Sequence, residues 1–251
     1  IPAWWTEEIG KMRVVIPEDE KKALTHYAYH IKAGKEIFAA EGAFGQYLIC
    51  FRDYPVAIGI TAGASEYLAA DICLKYIKEA VQIPCEKENL EEAQEKLEEK
   101  LVHLTLPKPE GDKKDTNEAT KKLLNKRIVF TENPRQIESA VISTVGEELK
   151  LELTVAGEKK ILFAGYKDWK CNDMYPNDFT KRYHAVSYAF DEDALYLSVG
   201  LLNTSYREEY CLWVNSENVV VGTWRPNVTY LPAEEDMTWK FTGTFEPSCI
   251  L

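Results

Sequence analysis

Histidine is scarce in this chain, with four in 251 residues. His26 and His30 stand at i and i+4, a spacing that puts both on one face of a predicted helix. No glutamate lies between them and no third ligand is evident, so they do not form the His-Glu-x-x-His metal motif. His103 falls at the end of another predicted helix, where it caps the last carbonyls. Gly-x-Ser-x-Gly is absent, which excludes a nucleophile elbow; Gly63-Ala64-Ser65 opens a predicted helix without a base partner. Gly42, Gly45, Gly59 and Gly63 have neither dinucleotide-fingerprint nor phosphate-loop spacing. No cofactor and no metal are therefore expected. No apolar run reaches the roughly eighteen residues that span a bilayer. No Lys/Arg-rich stripe offsets the formal charge of −11, so nucleic acid and anionic membranes are poor partners.

Cysteine is present in even number but without any Cys-x-x-Cys pair, which argues against a zinc knuckle or a thioredoxin-like site. Cys50, Cys73, Cys85, Cys171, Cys211 and Cys249 are widely spaced and read as three structural disulfides. One bridge is expected among the first three, one between the halves, and one tying Cys249 back to a strand. Six buried thiols in a reducing compartment are the alternative. The chain starts at Ile1, and the sequons Asn203-Thr204-Ser205 and Asn227-Val228-Thr229 fall near predicted strand ends. Together these features predict a secreted, extracellular glycoprotein, glycosylated at Asn203 and Asn227, whose signal peptide has been removed.

What the chain has in plenty is aromatic and alternating sequence. Fourteen Tyr, nine Phe and six Trp suit cores, ligand pockets and interfaces alike. The patterning changes at about Arg127, and the fold class is α+β: a mixed helical N-terminal half packed on a C-terminal antiparallel β-meander. Residues 1–106 read as mostly helical with a short hairpin, 107–126 as a linker or loop, and 127–251 as antiparallel and β-rich; one integrated domain is the alternative. In the first region Trp4 and Trp5 are expected to pack on the body, and Met12 to Ile16 to form a short edge strand. A helix is predicted from Glu18 to Phe38, with Leu24, Tyr27, Ala28 and Ile31 on one face. A hairpin follows around Arg52-Asp53-Tyr54-Pro55. A helix from Ser65 to Val81 directs Leu68, Ile72, Tyr76 and Ile77 to a core. Another from Leu90 to Val102, capped by Asn89, has a seam of Ala93, Leu97 and Leu101.

Strands are predicted at 127–131, 137–144, 148–155, 159–164, 182–190, 194–202, 207–215, 218–224 and 238–245. Alternation is clearest in Leu149, Leu151, Leu153 and Val155, and again in Leu195, Leu197, Val199 and Leu201. The meander forms either a twisted sheet or a closed barrel, and closure removes the exposed edges and can enclose a cavity.

Tyr210-Cys211-Leu212-Trp213-Val214, the meander and the late Cys249 make residues 127–251 resemble a secreted lipocalin of the arthropod salivary type. That resemblance implies an eight-stranded barrel holding a small ligand such as a biogenic amine, leukotriene or fatty acid, with the last cysteine anchoring the tail. The long non-barrel region before residue 127 departs from the lipocalin plan.

Candidate binding residues follow from position. His184 alternates with Val186, Tyr188 and Phe190, which places an imidazole among aromatics if that face points inward. Asp168 and Asp173 flank Trp169 and Cys171 in a loop that also holds Tyr166 and Tyr175; carboxylates beside aromatics suit an amine or cation. Trp213 completes the set. Asp191-Glu192-Asp193 reads as a solvated turn. The leading functional expectation is protein–protein recognition by a secreted binding protein, as in host or immune modulation. The alternative is a carrier or scavenger of a small hydrophobic or amine ligand. A third is a hydrolase whose paired carboxylates cannot be picked from forty-one acidic residues.

Overall fold

A computed structural model describes residues 2–17, 22–64, 69–82, 90–111, 121–172, 183–191, 193–229 and 237–247. The chain divides into two compact units, Ile1–Thr105 and Leu106–Leu251.

The first unit carries helices α1 (Ala3–Ile9), α2 (Ala69–Gln82) and α3 (Leu90–Val102). Its centre is a six-stranded meander of β1 (Val14–Val15), β2 (His26–Ala28), β3 (Ile31–Ala33), β4 (Ile37–Gly42), β5 (Gln46–Phe51) and β6 (Ala57–Ile60). The helix expected over Glu18 to Phe38 is thus replaced by three strands. Ala28 pairs with Ile31, and between them Tyr29 and His30 take positive φ of 50° and 62°. Two successive left-handed residues make the tight turn whose twist matches a hairpin. Strands of three residues are too short to display a period of two, so the spacing of Leu24, Tyr27, Ala28 and Ile31 imitated a helix face. Gly34, expected as a helix break, is needed for a close approach: a Cβ there would stand 1.8 Å from the carbonyl oxygen of Ala23. His26 and His30 consequently share no helix face. The expected hairpin at residues 46–60 is β5 and β6.

The core of this unit is Leu24, Ile37, Ala39, Tyr47, Ile49, Phe51 and Ala70. From α2, Ala69, Cys73, Leu74 and Ile77 pack on it, while Ile72 and Tyr76 are exposed. Ile77 thus faces the core as expected, Ile72 and Tyr76 do not, and Leu68 lies outside the described residues. On α3 no residue is buried, so the seam of Leu97 and Leu101 faces outward. His103 Nδ1 lies 2.7 Å from the carbonyl of Glu99, at the end of α3. Trp5 packs on Tyr29 with ring centroids 5.4 Å apart, whereas Trp4 is exposed.

The second unit is a closed barrel. Its strands are β7 (Arg127–Phe130), β8 (Ile137–Val145), β9 (Glu148–Val155), β10 (Glu158–Tyr166), β11 (Lys170–Asn172), β12 (His184–Asp191), β13 (Ala194–Leu201), β14 (Arg207–Val214), β15 (Val220–Pro226) and β16 (Trp239–Phe245). The sheet order is β10-β9-β8-β7-β16-β15-β14-β13-β12-β11. The first strand of the barrel pairs with the last, through Gly243 and Phe130. The ring then closes through β10 and β12, where Gly165 meets Ser187 and Tyr166 meets Tyr188 in parallel.

That parallel pair follows from the strand count. Antiparallel neighbours alternate in direction, so a ring of nine described strands must contain one pair that runs the same way. The short β11, not expected from the sequence, pairs with the same edge of β12 beyond that contact. The predicted alternation holds: Leu149, Leu151, Leu195, Leu197, Val199 and Leu201 all face the barrel core.

The disulfide expectation fails. Cys50, Cys73, Cys171 and Cys211 are free thiols; Cys85 and Cys249 lie outside the described residues. The ladders explain this, because no strand cysteine sits across from another. Cys50 faces Phe38 and Ala57, Cys171 faces Ala185, and Cys211 faces Tyr196 and Thr223. With the bridges goes the argument from paired cysteines to an oxidising compartment. Asn203 is exposed between β13 and β14. The Asn227 side chain has a structural task, accepting from the Arg207 amide at 2.8 Å and donating to the Ser205 carbonyl at 2.9 Å. No described helix is long and apolar enough to cross a membrane.

Candidate ligand cavity in the barrel

The barrel core is packed solid at one end and hollow toward the other. At the solid end Tyr188 packs against Tyr166 and Phe190, each with ring centroids 5.7 Å away. Its hydroxyl donates to the carbonyl of Glu147 in the β8–β9 turn at 3.1 Å. Toward the other end the inward residues leave a cavity of about 120 Å³. Its wall is apolar, with Ile142, Leu151, Leu162, Leu197 and Leu212 around it and Phe241 on β16. Phe241 can reach in because position 222 is glycine; a Cβ there would lie 2.4 Å from the Phe241 ring.

The polar residues of the wall gather at one end. Arg135 precedes β8, Lys160 lies near the start of β10, His184 opens β12 and Glu208 opens β14. These strands all start at the same end of the barrel, so the register collects four ionisable side chains there.

Arg135, Glu208 and Tyr210 form one bonded group. Arg135 Nη2 lies 3.1 Å from Glu208 Oε1, and the Tyr210 hydroxyl donates to Glu208 Oε2 at 2.7 Å. Burial pushes the Tyr210 hydroxyl well above its usual range, and the Glu208 charge adds to that. Burial of Arg135 works against its charge, but Glu208 and Tyr210 beside it more than compensate, so it holds its proton above the usual range. The Arg135 guanidinium carbon also lies 5.8 Å from the centroid of the Trp224 ring, and Trp224 stacks on Trp239 at 4.7 Å.

Among the described residues, Arg135 Nε and Trp224 Nε1 are buried without a hydrogen-bond partner, and of the two residues Arg135 lines the cavity. A buried donor without a partner costs about 1–3 kcal/mol.

Of the binding residues expected from the sequence, His184 lines this cavity. Tyr188 shares its inward face but belongs to the solid end. Asp168 and Trp169 lie outside the barrel, where they fasten residues 106–108 to the β10–β11 turn. Lys108 Nζ stands 3.2 Å from Asp168 Oδ1, and Trp169 Nε1 donates to the Leu106 carbonyl at 3.4 Å. The Lys108 hydrogen bond, with a further one from the Trp169 amide, holds the Asp168 carboxyl below its usual range. Trp213 is half-buried on the outward parity of β14, opposite to Tyr210 and Leu212. Tyr175 and Asp173 lie outside the described residues.

Arg135, Lys160, Glu208, Tyr210 and Trp224 were not singled out by the sequence reading. One signal was available. Along β14 the inward positions are Glu208, Tyr210, Leu212 and Val214, so Glu208 puts a charge on the apolar parity. Lys160 does the same on β10.

No protein-family model matches the chain, and no curated protein matches its sequence. Among solved structures the chain is similar to that of apo lipid binding protein 8 from Caenorhabditis elegans. The likeness covers 51% of this chain and 98% of that one, with 7% identity and a TM-score of 0.39. So low a score carries no argument, and the closed barrel stands on its strand pairings.

Proposed function

We propose that the barrel of residues 106–251 is a carrier for one small, mostly apolar ligand held in its cavity. One observation carries this reading: the closed barrel leaves an apolar hollow in its core whose polar groups are gathered at one end. That arrangement gives a ligand an apolar seat and a single orientation. The volume sets the ligand's size. A cavity of about 150 Å³ lined by aliphatic side chains holds benzene, so about 120 Å³ suits a ring-sized molecule rather than an extended acyl chain.

Protein–protein recognition, the leading expectation from the sequence, has less to rest on. Trp169 and Asp168, in the aromatic loop expected to suit an amine or cation, are engaged with residues 106–108. A hydrolase with paired carboxylates has one candidate on the cavity wall among the described residues, Glu208, and its two oxygens are held by Arg135 and Tyr210.

The test is nuclear Overhauser contact between a ring-sized apolar probe, ethylbenzene, and the methyl groups of Leu151, Leu162 and Leu197. Contacts to these methyls support the carrier reading. Contacts only to surface methyls, or none at saturation, refute it.

A further inference from the structure

We infer that Phe241 sets the length of ligand the barrel accepts, holding it to compact, ring-sized molecules and closing it to extended chains. This inference rests on the carrier reading above and adds the residue that decides its selectivity.

Two aromatic rings on the cavity wall share one construction. Phe130 and Phe241 both line the cavity, and each lies over a glycine directly across on the neighbouring strand. Phe241 on β16 pairs with Gly222 on β15, and Phe130 on β7 pairs with Gly243 on β16. A Cβ at position 222 would stand 2.4 Å from the Phe241 ring, and one at position 243 would stand 2.7 Å from the Phe130 ring. Neither glycine has a positive φ, so the backbone does not call for glycine at either place. Glycine weakens a strand interior and marks a close approach there; here the approaching group is a ring. The two rings meet edge to face, with centroids 5.4 Å apart and planes at 78°.

The glycine seat is also where the cavity can gain length. Positions 220, 222 and 224 share one face of β15, and Val220 and Trp224 belong to the barrel core, so position 222 faces inward without a side chain. Phe241 takes that place, and the cavity of about 120 Å³ stops at its ring. Without the ring, the space reaches the β15 backbone. The atoms nearest a Cβ at 222 are all side-chain ends, those of Phe241 and, at 2.9 Å, Leu212. Gly243 differs, because the Val129 carbonyl oxygen stands 3.0 Å from a Cβ there. The aliphatic wall has no comparable reserve. Leu151 is flanked by Ile142 and Leu162, and Leu197 by Tyr188 and Tyr210.

The test compares acetophenone with valerophenone, which has the same ring and ketone and a longer alkyl chain, by calorimetry on the full chain. Wild type is expected to bind acetophenone and to bind valerophenone no more tightly. Each methylene that finds burial strengthens binding roughly fourfold. In Phe241→Ala, valerophenone is therefore expected to bind at least about tenfold more tightly than acetophenone, and Phe241→Leu is expected to shift the preference the same way by less. Gly222→Ala acts in the opposite sense. Its methyl drives the Phe241 ring into the cavity, so acetophenone should bind about tenfold more weakly. The double variant Gly222→Ala, Phe241→Leu should restore that binding. This second pair reads the same contact without relying on Phe241→Ala to fold.

Tighter binding of valerophenone by wild type, or a preference unchanged from wild type in the folded Phe241 variants, overturns the assignment to Phe241 while the carrier reading stands. Undiminished acetophenone binding by Gly222→Ala also overturns it. Failure of both ketones to bind any of these proteins overturns both readings.

Discussion

Asn172 pairs with Phe163 as one strand residue pairs with another. Its Oδ1 accepts from the Phe163 amide at 2.6 Å and its Nδ2 donates to the Phe163 carbonyl at 3.0 Å. The same Nδ2 reaches the carbonyls of Lys170, at 3.0 Å, and His184, at 3.3 Å. A side-chain amide, buried within β11, thus replaces a length of ladder where β10 and β12 no longer touch. It closes the barrel beside the residue that opens the cavity wall, His184.

Asn172→Ala leaves Phe163 with two unmet backbone groups at that seam. The expected cost is about 2–3 kcal/mol, read from the urea midpoint. Amide exchange at Phe163 should accelerate relative to that at Leu151, which pairs with Leu162 in the β9–β10 ladder. Equal protection at both amides in the variant would show that the seam does not depend on Asn172.

The Arg135–Glu208 pair should behave as a half-buried ion pair. Glu208→Ala leaves the Arg135 charge facing the cavity without its counter-ion, with an expected loss of roughly 1–3 kcal/mol. Arg135 keeps 40% side-chain exposure against 9% for Glu208, so solvent screening favours the lower end. The double variant Arg135→Met, Glu208→Leu should recover most of that loss. A double-mutant cycle measures the coupling; a coupling near zero would mean that the two side chains do not act together.

Tyr210 gives the barrel an alkaline limit. Its folded hydroxyl ionises well above the usual tyrosine range, while in the unfolded chain it ionises near about pH 10. The folded state therefore binds this proton more tightly. The stability it contributes is fully present below about pH 10 and is lost as pH rises from there toward the folded value. Tyr210→Phe should flatten the decline of unfolding free energy above about pH 10. An identical slope in both proteins would contradict the burial of that hydroxyl.

The free thiols can be ranked by accessibility. Cys171 is exposed and Cys211 half-buried. Burial raises the Cys211 thiol above its usual range, opposed in part by a hydrogen bond with Tyr196. Iodoacetamide at neutral pH should alkylate Cys171 first and Cys211 slowly, as peptide mass mapping will show. Failure of both to label before reduction would restore the disulfide reading.

The barrel was more legible in the sequence than the first unit, for a physical reason. Leu149 to Val155 and Leu195 to Leu201 are long enough to show alternation several times over, and they lie in strands whose opposite face meets different surroundings. His26 to Ala28 and Ile31 to Ala33 show it barely once, and helical spacing won by coincidence. The candidate site divides the same way. His184 was visible because it interrupts an aromatic run. Glu208 was hidden because a single carboxylate among forty-one has no mark except its parity, and parity requires knowing which face is inside. Arg135 lies in a connection, where only the closed fold reveals that its guanidinium turns back over Trp224.

The central claim is that the void between Ala140 and Leu197 is where a ligand sits. The most direct measurement is a titration of acetophenone against the wild-type protein, Ala140→Leu and Leu197→Trp, with circular dichroism to verify that each variant keeps its sheet. Both substitutions add side-chain volume to the cavity wall. The account predicts saturable one-site binding to the wild type and at least about tenfold weaker binding to each folded variant, since the space is filled. Undiminished binding to either folded variant would contradict it and place the ligand elsewhere.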